Sequence, residues 1–200
     1  MKIIGITGGV GAGKSTVLNI LKEICKCKIV MADDVAKSLM VKGAELSDDA
    51  VRLFGKEAYL ENGVLNTVHI ASIMYGDDKI KHEWTGLVHP AVKNKILSEI
   101  DLAKESGEYD FFFLEAALLL EDNYDLICDE VWYVDVSEEE RIRRLAVGRG
   151  YSEEKSRSIM SKQLSKEEFL KRTDFVIDNG ISEENTRIQL ENKVEEYQFL

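Results

Sequence analysis

The sequence predicts an α/β protein, a three-layer arrangement in which helices cover a central parallel sheet. Three observations point there. Short Ile- and Val-rich segments alternate along the chain with segments whose apolar residues recur every 3.6 positions. A glycine-rich stretch, Gly8 to Gly13, joins the first strand directly to the first helix. Phe111-Phe112-Phe113-Leu114 is a continuous apolar run, as a parallel strand buried on both faces requires.

The elements follow in order. Lys2 to Thr7 is the first strand, and Val17, Leu18, Leu21, Ile24 and Cys25 form one face of the helix after it. Lys28 to Met31 is the second strand, ending at Ala32-Asp33-Asp34. The next helix turns Val35, Ala36, Leu39 and Met40 inward and ends near Gly43. Ser47 is placed to cap a helix with Val51 and Phe54 on its apolar side and Gly55 as its stop. Asn62-Gly63 is a turn, and Asn66 or Thr67 caps the segment holding Ile70, Ile73 and Met74. Pro90 suits the first position of a long helix with Val92, Ile96, Leu97, Ile100 and Ala103 as its buried stripe, ended by Ser106-Gly107.

After the Phe111–Leu114 strand, Val131 to Val136 is the next, and Ser137 with Glu140 forms a capping box for a helix broken at Gly148-Arg149-Gly150. Ser152 caps a helix running to Gln163, and Ser165 with Glu168 forms a second capping box. Phe175-Val176-Ile177 is the last strand, and Ser182 opens the final helix. Trp84 and Trp132 read as core, and His69 and His82 as surface. The chain is expected to be one domain over residues 1–200, with a helical lobe at about 43–90 and a mobile arginine-bearing segment at 138–165.

Gly8-Gly9-Val10-Gly11-Ala12-Gly13-Lys14-Ser15 fits the pattern G-x-x-x-x-G-K-[ST], in the strand–turn–helix setting which that pattern demands. Glycines let successive backbone N–H groups point into one concave nest for anionic oxygens. The N-terminus of the following helix adds partial positive charge. Lys14 can reach the outer phosphates as a point charge, and the Ser15 hydroxyl can ligate Mg²⁺. The stretch from Gly9 through Gly11, Ala12, Gly13, Lys14, Ser15 and Thr16 is therefore the expected nucleoside triphosphate site.

Two carboxylates stand at strand ends. Asp33 reads either as a general base for an acceptor hydroxyl or as a helix N-cap. Glu115, delivered by the central strand toward the loop, reads either as a partner of Mg²⁺ through water or as a loop cap.

The composition is 44% hydrophobic and 32% charged, that of an ordinary globular protein. No apolar run approaches the ~20 residues that span a bilayer, so no membrane partner is expected. A net charge of −11 argues against binding nucleic acid, which selects basic surfaces. Three cysteines, Cys25, Cys27 and Cys128, suit a reduced, cytoplasmic setting. Cys25-Lys26-Cys27 lacks a second ligand pair and reads as structural or redox-sensitive. Five of the eight arginines (Arg141, Arg143, Arg144, Arg149, Arg157) lie within seventeen residues. They read as a lid over an anionic ligand, or as a solvated face paired to Glu138, Glu139, Glu140, Glu153 and Glu154. Arg144 and Arg149 are the expected phosphate contacts, and Arg141 and Arg143 the expected exposed partners of glutamates.

Read together, the motifs resemble the dephospho-CoA kinase family over essentially the whole chain. The resemblance rests on Ile4 through Thr16, on Met31-Ala32-Asp33, and on His89-Pro90. It continues through Ala117-Leu118-Leu119-Leu120-Glu121, Val134-Asp135-Val136-Ser137, Arg144-Leu145, Arg149, Gln163, Asp174 and Ile177-Asp178-Asn179. It implies a P-loop kinase fold with a lid and a helical acceptor-binding region, and ATP-dependent phosphorylation of the 3′-hydroxyl of dephospho-CoA. It also implies Asp33 as catalytic base beside Lys14, an acceptor wall including His89, Leu118 and Glu121, and Asn179 near the adenine. Two positions depart from the family pattern: Met31 stands where the first aspartate of its triplet would be, and Ala117 where a proline would be. Another small-metabolite or nucleoside monophosphate kinase would share the loop and lid. A GTPase-like switch would need an Asn-Lys-x-Asp-type segment, which the chain lacks.

Overall fold

The computed structural model describes residues 1–199, with side chains through Tyr197. The chain divides into two compact units, one of residues 1–30 and 103–200 and the other of residues 31–102. In chain order, β1 (Lys2–Thr7), α1 (Lys14–Ile24) and β2 (Cys27–Met31) come first. The helices α2 (Ala32–Leu39), α3 (Ser47–Phe54), α4 (Thr67–Gly76) and α5 (Asp78–Ser106) follow. Then come β3 (Phe111–Glu115), β4 (Glu130–Asp135), α6 (Glu138–Arg149), α7 (Glu153–Met160), α8 (Lys166–Lys171), β5 (Phe175–Asp178) and α9 (Glu183–Glu195).

The five strands form a parallel sheet in the order β2-β3-β1-β4-β5. In register, Ile4 lies beside Phe113, Ile6 beside Glu115, and Tyr133 beside Val176. Connections leave β1 toward one edge and β3 toward the other, so the sheet's switch point lies at the C-terminal ends of β1 and β3, where ligands gather in open α/β sheets. Because side chains alternate along a strand, Ile4, Ile6, Phe111, Phe113, Trp132, Val134 and Ile177 enter one core cluster with Val17, Leu21, Leu190 and Val194 of α1 and α9. Phe113 meets Trp132 at 5.7 Å between ring centres, and Trp132 meets Phe175 at 5.4 Å. Each such side chain contributes about 1.5–3 kcal/mol by leaving water, which fixes the register on which the site depends.

The second unit is helical. Leu39, Leu46, Ala50, Phe54, Ala58, Ile70 and Trp84 are buried, and Phe54 meets Trp84 edge-on at 5.2 Å. The expected helical stretch at 43–90 falls inside this unit. Asn66 caps α4 by accepting from His69 N, and Asn62 Oδ1 accepts from Val64 N to close the Asn62-Gly63 turn.

Several sequence expectations change. Pro90 lies inside α5, which starts twelve residues earlier at Asp78. The missed start signal is Asp77, whose Oδ1 accepts from the amides of Lys79 and Ile80. Ser47 is the first residue of α3, and its hydroxyl accepts from Gly43 N, outside the helix. Ser137 accepts from Glu140 N, but the Glu140 carboxylate is taken by Arg143 and Arg144, so no reciprocal capping box forms; Ser165 and Glu168 do form one. α7 stops at Met160, before Gln163. Val51 and Leu97 are exposed on their helices. His69 is half-buried, with Nε2 at 2.8 Å from Phe54 O, where it ties α4 to α3.

Candidate active site

The loop after β1 turns sharply because its glycines permit it. Gly13 has φ 86 and ends the loop as the N-terminal cap of α1, with no side chain bonded to the first amides of that helix. Those donors and the helix dipole face the loop's concavity, an arrangement suited to phosphate oxygens. A Cβ at Gly13 would stand 2.4 Å from Asn179 Nδ2, and one at Gly9 would stand 2.3 Å from an Arg141 Nη. Gly13 needs glycine for its left-handed backbone, whereas at Gly9 an added side chain would displace the Arg141 guanidinium that braces the loop.

Lys14 bends back over the loop. Its Nζ donates to Gly8 O at 2.9 Å and lies 3.4 Å from Glu115 Oε1. The pairing of Ile6 with Glu115 explains that approach, since both residues stand at the C-terminal ends of neighbouring strands. Glu115 is 7% exposed, and a carboxylate so buried requires a cationic partner. Ser15 is exposed on the first turn of α1, and Ala12 is buried beneath the loop. A serine hydroxyl and a carboxylate are hard oxygen donors of the kind Mg²⁺ takes, with phosphate and water completing its shell. No cluster of three or more His, Cys, Asp or Glu suited to a metal occurs among the described residues.

Three further side chains fix the loop. Asn179, 5% exposed, donates from Nδ2 to Ala12 O at 2.8 Å, while its Oδ1 accepts from Thr186 Oγ1 at 2.9 Å. Arg144 donates to Ala12 O at 3.3 Å, Asn179 O at 2.8 Å and Glu140 Oε1 at 2.8 Å. Arg143 and then Arg144, through their hydrogen bonds, hold the Glu140 carboxyl down to about 2.

Arg141 is the residue that sequence reasoning misplaced. It is half-buried, its Nε donates to Val10 O at 2.8 Å, and an Nη donates to Gln163 Oε1 at 3.0 Å. Gln163 Oε1 also accepts from Val10 N at 3.0 Å, so the two side chains clasp the loop tip. Burial pushes the Arg141 guanidinium below its ordinary value. Helical spacing carries the missed signal: Arg141, Arg144 and buried Leu145 share one face of α6, whereas Arg143 lies off it, exposed and paired with Glu140. Arg149 is exposed in the last turn of α6.

The residues assigned to the acceptor are all exposed. Leu118 and Glu121 lie in the turns after β3, beside buried Leu119 and Leu120. In the second unit, Asp33 is the second residue of α2, whose N-cap is Met31 with no side-chain cap, so Asp33 is not serving as the cap. His89 lies within α5, eleven residues after its start, and so does not open the helix.

Sheet order, phosphate loop and the lysine–carboxylate contact define a P-loop kinase. The fold is shared with a shikimate kinase from Acinetobacter baumannii, at a TM-score of 0.52 and 14% identity over 100% of this chain and 93% of that one. More specifically, the chain belongs to the dephospho-CoA kinase family, whose model matches residues 2–184. It is 34% identical to the dephospho-CoA kinase of Carboxydothermus hydrogenoformans, over 95% of this chain and 91% of that protein. Against the Listeria innocua dephospho-CoA kinase the identity is 32%, over 98% and 97%. A Thermus thermophilus protein of known crystal structure superposes with a TM-score of 0.79 at 28% identity, covering 98% of this chain and 97% of that one.

Proposed function

We propose that this kinase transfers the γ-phosphate of ATP to the ribose 3′-hydroxyl of dephospho-CoA, giving coenzyme A and ADP. Phosphorylation of dephospho-CoA is the activity of the family to which the chain belongs; the acceptor oxygen, the metal and the residue roles are inferred. The observation that carries the reading is Lys14 Nζ poised between Gly8 O and Glu115 at an uncapped helix N-terminus.

ATP docks with its phosphates in the loop from Gly9 to Thr16, at the N-terminus of α1. Lys14 exchanges its carbonyl partner for phosphate oxygen and neutralises charge that grows on the transferred group. Ser15 and Glu115 would hold Mg²⁺, directly or through water, and that ion would offset charge on the outer phosphates. Asp33 accepts or orients the proton of the acceptor hydroxyl. Arg144 supports the phosphate site from α6, Arg149 closes on phosphate when the α6–α7 segment moves as a lid, and Asn179 borders the adenine. Excluding water by that closure would suppress hydrolysis of ATP. His89, Leu118 and Glu121 line the acceptor. A cytoplasmic setting belongs to the same proposal, in keeping with three free thiols. No helix among the described residues is long and apolar enough to cross a membrane.

The test is ADP release by the purified protein with Mg·ATP, with and without dephospho-CoA, together with the mass of the product. ADP formed only with acceptor, and a product heavier by one phosphate, supports the reading. ATP binding with no turnover of this acceptor, but turnover of a nucleoside monophosphate or another alcohol, overturns it.

A further inference from the structure

Cys25 and Cys27 play no part in phosphoryl transfer, yet their thiols are brought together. Cys25 is the C-cap of α1 and Cys27 the first residue of β2. Both sulfurs are directed at one acceptor: Cys25 Sγ lies 3.2 Å and Cys27 Sγ 3.7 Å from Leu21 O. The two thiols also lie near enough to shift each other's ionisation in opposite directions. Both residues are half-buried, with exposed Lys26 between them. Cys25, but not Cys27, borders an open cavity of about 910 Å³, along with Lys2, Glu23, Lys26, Asp110 and Tyr197, so a small molecule approaches the pair from the Cys25 side.

We propose that Cys25-Lys26-Cys27 is a reactive dithiol that undergoes reversible exchange with low-molecular-weight disulfides, closing an internal Cys25–Cys27 bond. Cys27 is the attacking group. Its hydrogen bond from Cys25 favours the thiolate and pulls Cys27 below its ordinary value, with Lys22 assisting. The same bond, together with burial, holds Cys25 protonated. In the first step the Cys27 thiolate bonds to one sulfur of the small disulfide, whose S–S bond breaks and releases one thiolate. The mixed disulfide at Cys27 ends the hydrogen bond that had held the Cys25 proton. Cys25 then loses that proton and attacks the Cys27 sulfur, releasing the second thiolate. Two protein thiols are oxidised, the small disulfide is reduced to two thiols, and the protons from the cysteines end on those thiols.

Because the closed ring spans only three residues, it constrains little unfolded-chain entropy and adds little stability. A strained bond of this kind is readily reduced, as a reversible modification requires. Cys128 supplies the internal contrast. It donates to Tyr124 O at 3.3 Å, packs beneath Gly5, and is pushed up to about 12 by burial.

The experiment treats the folded, full-length protein with oxidised glutathione and follows intact mass and thiol-mapped peptides. The expected product has lost two hydrogens, retains no glutathione, and joins Cys25 to Cys27. Cys128→Ser should behave as wild type. Cys25→Ser should keep a glutathione adduct on Cys27, because the resolving thiol is missing. Cys27→Ser should react about tenfold more slowly or worse. The proposal is overturned if wild type accumulates a stable adduct without the internal bond. It is overturned equally if Cys128 reacts first, or if Cys27→Ser is modified at the wild-type rate.

Discussion

In the phosphate loop, side chains grip the backbone from behind: Asn179 and Arg144 on Ala12 O, Arg141 and Gln163 on the carbonyl and amide of Val10. The residues proposed for the acceptor, Asp33, His89, Leu118 and Glu121, are exposed side chains instead. The difference follows from what each set must recognise. Phosphate oxygens are read by backbone amides, which hold their aim only if the chain cannot relax, so the protein invests buried hydrogen bonds there.

If preorganisation resides in the loop, its point charge should have the largest effect. Lys14→Ala is expected to lower turnover by about a thousandfold and to weaken ATP binding. Steady-state kinetics with dephospho-CoA as acceptor, and ATP titration, check both. A variant that binds and turns over ATP normally would remove the loop from the mechanism. Asp33→Asn should cut turnover on the order of a hundredfold or more while leaving ATP affinity nearly intact. Together the two variants separate the regions: one disturbs nucleotide and chemistry, the other chemistry alone. Equal loss of ATP affinity in Asp33→Asn would break the contrast.

Much of this architecture is legible in residues whose signal is local. Gly13, Lys14 and Ser15 announce themselves through a fixed pattern, and the Phe111–Leu114 run predicts the strand that carries Glu115. What stayed hidden depends on partners distant in sequence. Nothing near Asn179 in the chain says that its amide will support Ala12, 167 residues away. Arg141 reads as a surface cation until helix phase is counted against buried Leu145. Pro90 misleads because proline is commoner at a helix start than inside, yet Asp77 caps α5 earlier and α5 continues past Pro90.

A smaller effect should follow from loosening the loop without touching its charge. Asn179→Ala removes two buried hydrogen bonds, to Ala12 O and from Thr186 Oγ1, while Arg144 still reaches Ala12 O and Thr186 Oγ1 still donates to Ser182 O. The expected cost is about 1–3 kcal/mol of stability, a fall in Tm of about 2–4 °C for each kcal/mol. The KM for ATP should rise while that for dephospho-CoA stays put. If both rise together, the loop and the residues proposed for the acceptor are coupled rather than independent.

The mildest test concerns Glu140, which holds Arg144 in the orientation that reaches Ala12 O and Asn179 O. Its carboxyl is lowered from an ordinary 4.5 to about 2 by hydrogen bonds from Arg143 and Arg144. A lowered folded value means that ionised Glu140 favours the folded state; the contribution is complete above 4.5 and is lost as pH falls toward 2. Because the carboxylate is near solvent, screening keeps the effect small. Glu140→Gln should therefore melt slightly below wild type at neutral pH, and the gap should close as the medium is acidified through that window. Thermal melts of both proteins across the range measure it. A gap that persists at the acid end would mean that Glu140 holds Arg144 by geometry rather than by charge, and the same variant would then leave the KM for ATP unchanged by added salt.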